Sequence, residues 1–193
     1  RAALTAQFPL ARLCYLKQVH GSKVVPGDSS EVAEADGHFT GKAGFGLVIQ
    51  TADCVPVMLA NNTQVCALHA GWRGAAADIV GAAKAFFLEP PEVAVIGPHI
   101  RAAHFEIGND VMKTLLSSVP NQPDSSQFVR PHKDSEKCYF NLAALIRLQL
   151  LCHYPEIQIY DGGEDTFSNL AYYSYRRDRG GGGRQYSFVM LKP

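Results

Sequence analysis

The chain has 193 residues, enough for one domain with a sizeable core or for two very small ones. Apolar residues make up 47% and charged residues 19%, the proportions of an ordinary globular protein. Lysine plus arginine and aspartate plus glutamate both number 18, so no global field draws the chain to nucleic acid or anionic lipid. No apolar run approaches the roughly 20 residues that a membrane-spanning helix needs. The first residue is Arg1, with no methionine and no signal-like apolar segment, so the chain is expected to lack its native N-terminus. Cys14, Cys54, Cys66, Cys138 and Cys152 form an odd set without tight spacing. That argues against a secreted disulfide scaffold and for a reducing cytoplasm, with all but Cys54 expected as buried free thiols.

In chain order, residues 46–50 (GLVIQ), 55–60 (VPVMLA) and 65–69 (VCALH) are short apolar runs that predict buried strands, with Asn61-Asn62 as the turn between the last two. Their closeness predicts antiparallel neighbours, because parallel pairs need longer crossovers. Residues 75–87 carry small and apolar side chains at helical spacing, stopped by Pro90-Pro91. A strand is predicted at 92–97, a helix at 109–118 and a polar loop at 119–131. Leu142, Leu145, Ile146, Leu148, Leu150 and Leu151 give 141–153 an amphipathic helical pattern with Asn141 as its N-cap. Residues 157–160 and 186–191 read as closing strands. Strands and helices mix without βαβ alternation and no linker interrupts them. The expectation is a single α+β domain over 1–193, with mixed and antiparallel sheets flanked by helices.

Four islands place reactive residues beside glycine or proline at the ends of apolar segments: Gln18-Val19-His20-Gly21, Ala52-Asp53-Cys54-Val55-Pro56, His69-Ala70-Gly71-Trp72-Arg73-Gly74 and Gly97-Pro98-His99-Ile100. Strand ends and the loops after them are where scaffolds present functional groups. The glycine-flanked turn after His69 enters a helix and exposes N–H groups suited to an anion such as phosphate. Imidazole and thiolate are ligands that zinc and copper prefer, so His20, Cys54 and His69 are candidate metal ligands. They would leave a fourth position open, the mark of a catalytic zinc site. No local pattern such as CxxC joins them, and a core cysteine with two histidines hydrogen-bonded in turns fits the residues as well.

The islands QVHG, TADCVP, HAGWRG and GPHI, followed by HFEIG and by YYSYRRD with a later GR, together resemble the YfiH-like family from about Leu16 to Leu191. That family was first labelled multicopper polyphenol oxidase, or laccase-like, and later described as purine nucleoside phosphorylases. The resemblance implies metal ligation by His20, Cys54 and His69, with zinc as the ion and copper able to take the same site. It also implies that inorganic phosphate attacks C1′ of adenosine, inosine or methylthioadenosine, and that adenosine is deaminated as a side activity. A zinc-activated water, its pKa lowered to about 7, suits attack at purine C6. Arg73 and the backbone after His69 are the first candidates for phosphate contacts, with Arg176 and Arg177 second. Asp53 could orient a ligand or move a proton, although capping a nearby turn is its commoner job.

The chain departs from the family's pattern in two places. It lacks the family's N-terminal Thr-Arg-x-Gly-Gly segment, and it reads GGEDTFSN where a Cys-Thr pair is usual. Several other residues have plain packing readings. Trp72 is expected as a packing anchor, Phe105 as either core or base platform, and His99 and His104 as surface hydrogen-bonders. Glu106 is open between a surface carboxylate and a pocket residue, and Gly180–Gly183 is expected to form a flexible loop or lid. Two rival chemistries stand beside the phosphorylase. One is a copper-dependent phenol oxidase, for which seven histidines without an HxH pair are too few. The other is a Cys-His hydrolase or deamidase with Cys54 as nucleophile and His69 as base. A non-catalytic binding protein on the same scaffold is the third alternative. Oligomeric state is not legible in the sequence.

Overall fold

The computed structural model describes residues 8–119 and 124–193. Its centre is a six-stranded sheet. Strands β2 (Val24–Pro26), β3 (Gly37–Thr40), β5 (Val55–Ala60), β6 (Val65–Ala70), β7 (Val93–Ile96) and β11 (Gln158–Asp161) run in the order β11-β7-β5-β6-β3-β2. Strands β1 (Arg12–Cys14), β4 (Phe45–Thr51) and β12 (Gln185–Val189) form a second sheet in the order β1-β4-β12. A small antiparallel sheet joins β8 (Glu106–Gly108), β10 (Lys137–Phe140) and β9 (Val129–Pro131). The helices are α1 (Trp72–Ala76), α2 (Ile79–Lys84), α3 (Asn109–Ser117) and α4 (Leu142–His153). The α+β class expected from the sequence is the class observed.

Burial on both faces explains why β5 and β6 read as unbroken apolar runs. Val55, Val57 and Leu59 pack in the cluster that holds Ile79, Val80, Leu145 and Ile146 of the helices. Met58 and Ala67 pack instead with Leu47 and Ile49 of the second sheet. The period of two is therefore present, but both phases are apolar, so alternation is invisible in composition. The β5–β6 pair is antiparallel, with Pro56 opposite His69 and Ala60 opposite Val65. At its turn Asn61 Oδ1 accepts from the amides of Thr63 and Gln64 at 2.9 and 2.7 Å.

Three expectations about elements need correction. Strand β4 does not pair with β5; it pairs with β1 in parallel and with β12 antiparallel. Ala52, Asp53 and Cys54 instead form the corner where the chain leaves one sheet for the other. The helix expected at 75–87 is two short helices that start earlier, at Trp72. Asp78 breaks it in a left-handed conformation, φ 53°, and its carboxylate accepts from Gly81 N at 3.0 Å while binding His153 Nε2 at 2.7 Å. Aspartate tolerates that conformation because its short side chain can bond nearby amides. The loop expected at 119–131 contains a 3-10 turn at Ser125–Gln127 and strand β9; its residues 120–123 lie outside the described residues. By contrast, α4 starts where expected, with Asn141 Oδ1 accepting from Ala144 N at 3.0 Å. Among the described residues no helix is long and apolar enough to cross a membrane.

His38 on β3 is fully buried, and neither ring nitrogen has a hydrogen-bond partner. Burial pulls its pKa from 6.5 down to about 4, only partly opposed by the nearby Val48 backbone, whose approach falls short of hydrogen-bond geometry. The unfolded chain takes up a proton near pH 6.5, whereas the native state refuses it until about pH 4. Stability is therefore expected to fall as pH drops through that window, by about 3 kcal/mol from this residue. A His38→Leu variant should flatten the pH dependence of the urea midpoint there. Parallel curves for the variant and the parent chain would refute this.

Candidate metal centre and its pocket

His20, Cys54 and His69 come from three separate stretches of chain. His20 lies in the loop between β1 and β2, Cys54 on the corner before β5, and His69 near the end of β6. Their ligand atoms all lie within 4.8 Å of one another. The His20 and His69 rings meet edge to face at 4.8 Å between centroids. His69 Nδ1 donates to Asp36 Oδ1 at 2.7 Å, so the neutral form of the ring carries its lone pair on Nε2. Two imidazoles and a thiolate with a carboxylate behind one of them are the donor chemistry that zinc or copper takes. The residues present therefore fit a three-ligand metal site.

Asp36 holds the group together. It is fully buried, and its carboxylate accepts from the amides of Val19, His20 and Gly21 at 3.2, 2.9 and 2.7 Å as well as from His69. One side chain thus shapes the His20 loop and orients the His69 ring. Burial alone would raise its pKa, but the His69 ring and the amides outweigh that and hold the carboxyl below its ordinary value. Nothing in the sequence singles it out. Its only signal is an acid between alanine and glycine at the start of a buried strand.

Backbone strain marks the same spot. Among the described non-glycine residues with positive φ are His20 at 63° and Asp53 at 88°. Such conformations persist where surrounding contacts over-determine them, and they gather at functional sites. Gly74 is needed for close approach, because a Cβ there would stand 2.7 Å from the Gly21 carbonyl oxygen. Gly74 therefore lets α1 pack directly on the His20 loop.

The electrostatics are polarised. Burial pushes the Cys54 thiol up, but His20 and His69 more than offset it and bring the pKa down to about 7. Burial pulls His69 down, but Asp36 and Cys54 raise it to about 9. A thiol made acidic beside a basic imidazole can serve as a metal ligand or as a nucleophile with its base.

The three residues lie in a pocket of about 570 Å³. Trp72, Phe105, Ile100 and Leu16 supply apolar wall, and Arg73, Arg176 and Arg184 supply cationic edge. Arg73 lies 4.4 Å over the Trp72 ring, and Arg176 lies 5.7 Å from the Phe105 centroid while donating to the Glu106 carbonyl at 2.8 Å. Trp72 packs on the core and lines the pocket together, and so does Phe105. Asp53 accepts from Thr166 Oγ1 at 2.6 Å and from Arg176 N at 2.7 Å. It caps a turn more than a hundred residues away rather than a nearby one.

Other candidates lie elsewhere. Arg177 donates to the carbonyls of Thr166, Phe167 and Tyr172 and to Asp178, and it does not line the pocket. Its guanidinium is a clamp for the 166–178 segment. His99 was expected at the surface; it is 1% exposed, with Nδ1 donating to the Gly97 carbonyl at 2.8 Å. His104 is half-buried, stacked on Phe167 and bonded to Asp165 at 2.6 Å. The Glu106 carboxylate binds Lys137 and His132 rather than facing the pocket. Cys14, Cys66 and Cys138 are buried thiols, but Cys152 is exposed because it sits on the outer side of α4.

Fold and site define a class: an α+β protein with a ligand-sized pocket over a His–Cys–His cluster. The sequence model of the multi-copper polyphenol oxidoreductase laccase family matches residues 1–192, and the chain belongs to that YfiH-like family. A purine nucleoside phosphorylase of Rickettsia conorii is 36% identical over 189 residues, covering 92% of this chain and 75% of that protein. The purine nucleoside phosphorylase YfiH of Escherichia coli is 34% identical over 184 residues, covering 92% and 73%. The crystal structure of a Neisseria meningitidis protein of the DUF152 family superposes with a TM-score of 0.90 at 31% identity, covering 100% of this chain and 80% of that one. YlmD from Geobacillus stearothermophilus gives 0.87 at 30% identity, covering 100% and 78%.

Proposed function

We propose that this protein is a metal-dependent purine nucleoside phosphorylase. The observation that carries the reading is the convergence of His20, Cys54 and His69, within 4.8 Å of one another, in a pocket that also presents Arg73 and Arg176. The phosphorylase names of the relatives support the reaction type. A volume of about 570 Å³ falls in the range of small-molecule sites. The substrates would be adenosine, inosine or methylthioadenosine with inorganic phosphate, and adenosine deamination would be a side activity of the same site.

In this reading the aromatic and aliphatic walls hold the purine and exclude water. Arg73 and Arg176, each supported by an aromatic ring, hold phosphate near the sugar. A phosphate oxygen forms the bond to C1′ as the bond from C1′ to the purine nitrogen breaks. The electron pair leaves with the base, which takes up a proton, and the sugar is released as its 1-phosphate. Zinc or copper bound by His20, Cys54 and His69 would supply Lewis acidity. Asp53 acts as a positioning residue, because its carboxylate holds the amide of Arg176. The free cysteines suit a reducing cytoplasm.

The test is hypoxanthine release from inosine, with and without phosphate and with and without a strong chelator. Release that needs phosphate and stops on chelation is the expected result. No release from metal-loaded, folded protein would overturn the reading. A second reading, a Cys54 nucleophile with His69 as its base, is favoured by the acidified thiol and basic imidazole. A nucleophile of that kind survives chelation and is lost on thiol alkylation. A phenol oxidase that needs several coppers is poorly served, since His20, Cys54 and His69 are the one such donor group among the described residues.

A further inference from the structure

We propose that Arg184 is a phosphate-binding residue, completing the anion subsite with Arg73 and Arg176 in the role that the sequence reading gave to Arg177. This rests on the phosphorylase reading for its substrate, but the placement of the guanidinium stands by itself.

Arg184 follows the glycine run, immediately precedes β12 and is an exposed residue at the rim of the pocket it helps to line. The chain is held on both sides of it. Gly183 lies close on the Tyr173 ring, where an added Cβ would stand 2.7 to 3.0 Å from three ring atoms. On the other side, Gln185 pairs with Thr51 in the sheet, and its Oε1 accepts from Tyr173 N at 3.1 Å. Tyr173 thus braces both neighbours of Arg184, and sheet pairing places the residue beside the β4 end of the pocket.

The charge is unanswered. Arg184 donates through Nη1 to the Gly183 carbonyl at 2.8 Å, and no carboxylate lies within ion-pair distance of it among the described residues. The same holds for the guanidiniums of Arg73 and Arg176, which stack on Trp72 and Phe105. Arg177, in contrast, is occupied by three carbonyls and Asp178. Three guanidiniums without an ion-pair partner outnumber the single Asp53 carboxylate that lines the same pocket, an imbalance that suits an anion, and the planar fork of arginine matches phosphate oxygens. Arg184 also has a second observation beside it. The Thr51 hydroxyl is buried, lines the same pocket and has no hydrogen-bond partner.

The experiment measures inorganic phosphate binding by calorimetry, in the absence of nucleoside, for the parent chain, Arg184→Gln, Arg184→Lys and the exposed-helix control Arg147→Gln. The same four proteins are assayed for the KM of phosphate and of inosine. Loss of a charge-assisted contact predicts phosphate binding weakened about 10- to 100-fold in Arg184→Gln, with KM for phosphate rising in step and KM for inosine little changed. Arg184→Lys should recover part of the loss and Arg147→Gln should match the parent. Phosphate affinity in Arg184→Gln within twofold of the parent, or no phosphate binding by the parent, would overturn the proposal. If the parent binds phosphate through Arg184 yet does not cleave inosine, the phosphorylase reading falls and the anion subsite stands.

Discussion

Asp36→Ala is expected to destabilise the protein by about 3–5 kcal/mol and to strip the site of most of its metal affinity. The side chain is fully buried and accepts from three consecutive amides and from His69 Nδ1. Removing it leaves the buried His69 Nδ1 and three part-buried amides without that acceptor, and a buried group left unpaired costs about 1–3 kcal/mol. It also frees the His20 loop from its left-handed turn and the His69 ring from its orientation. Asp36→Asn should be milder in stability, since one carbonyl oxygen still accepts, but its amide would face donors. Chemical unfolding and metal content per chain, measured on the same samples, check both parts. An unchanged midpoint together with full metal content would show that Asp36 does not hold the site.

His69→Ala should separate site from scaffold. Asp36 keeps its three amide donors in that variant, so the fold is expected to survive with a loss of no more than about 3 kcal/mol from cavity formation and the missing hydrogen bond. Bound metal should fall well below one per chain, and phosphorolysis of inosine should drop by about 10³-fold or more, some 4 kcal/mol in the barrier. Folded protein with metal and activity within tenfold of the parent would remove His69 from the centre. The two variants together distinguish a residue that builds the site from one that works in it.

How much of this could be read beforehand depended on how local the cause was. The N-cap of α4, the Asn61 turn and the apolar strands β5 and β6 follow from contacts within a few residues, and the sequence shows them. The three-residue strands β1, β2, β8 and β9 are too short for a period to register, so they were not visible. The break at Asp78 was hidden because its partner His153 lies on another helix. The His–Cys–His set was legible only through the ordered motifs that resemble the YfiH-like family, since no local spacing joins residues 20, 54 and 69.

The sequence by itself therefore carried the α+β class and the apolar faces, which rest on side-chain chemistry and local backbone preference within each short segment. The candidate ligands it offered only through the motifs that resemble the YfiH-like family. The tertiary structure alone decided that three distant ligands meet within 4.8 Å, that Asp36 stands behind them, and that Arg184 rather than Arg177 reaches the pocket. It also decided that His38 and His99 are buried. Burial, pairing and residual charge arise only when surfaces from separate stretches of chain exclude water between them.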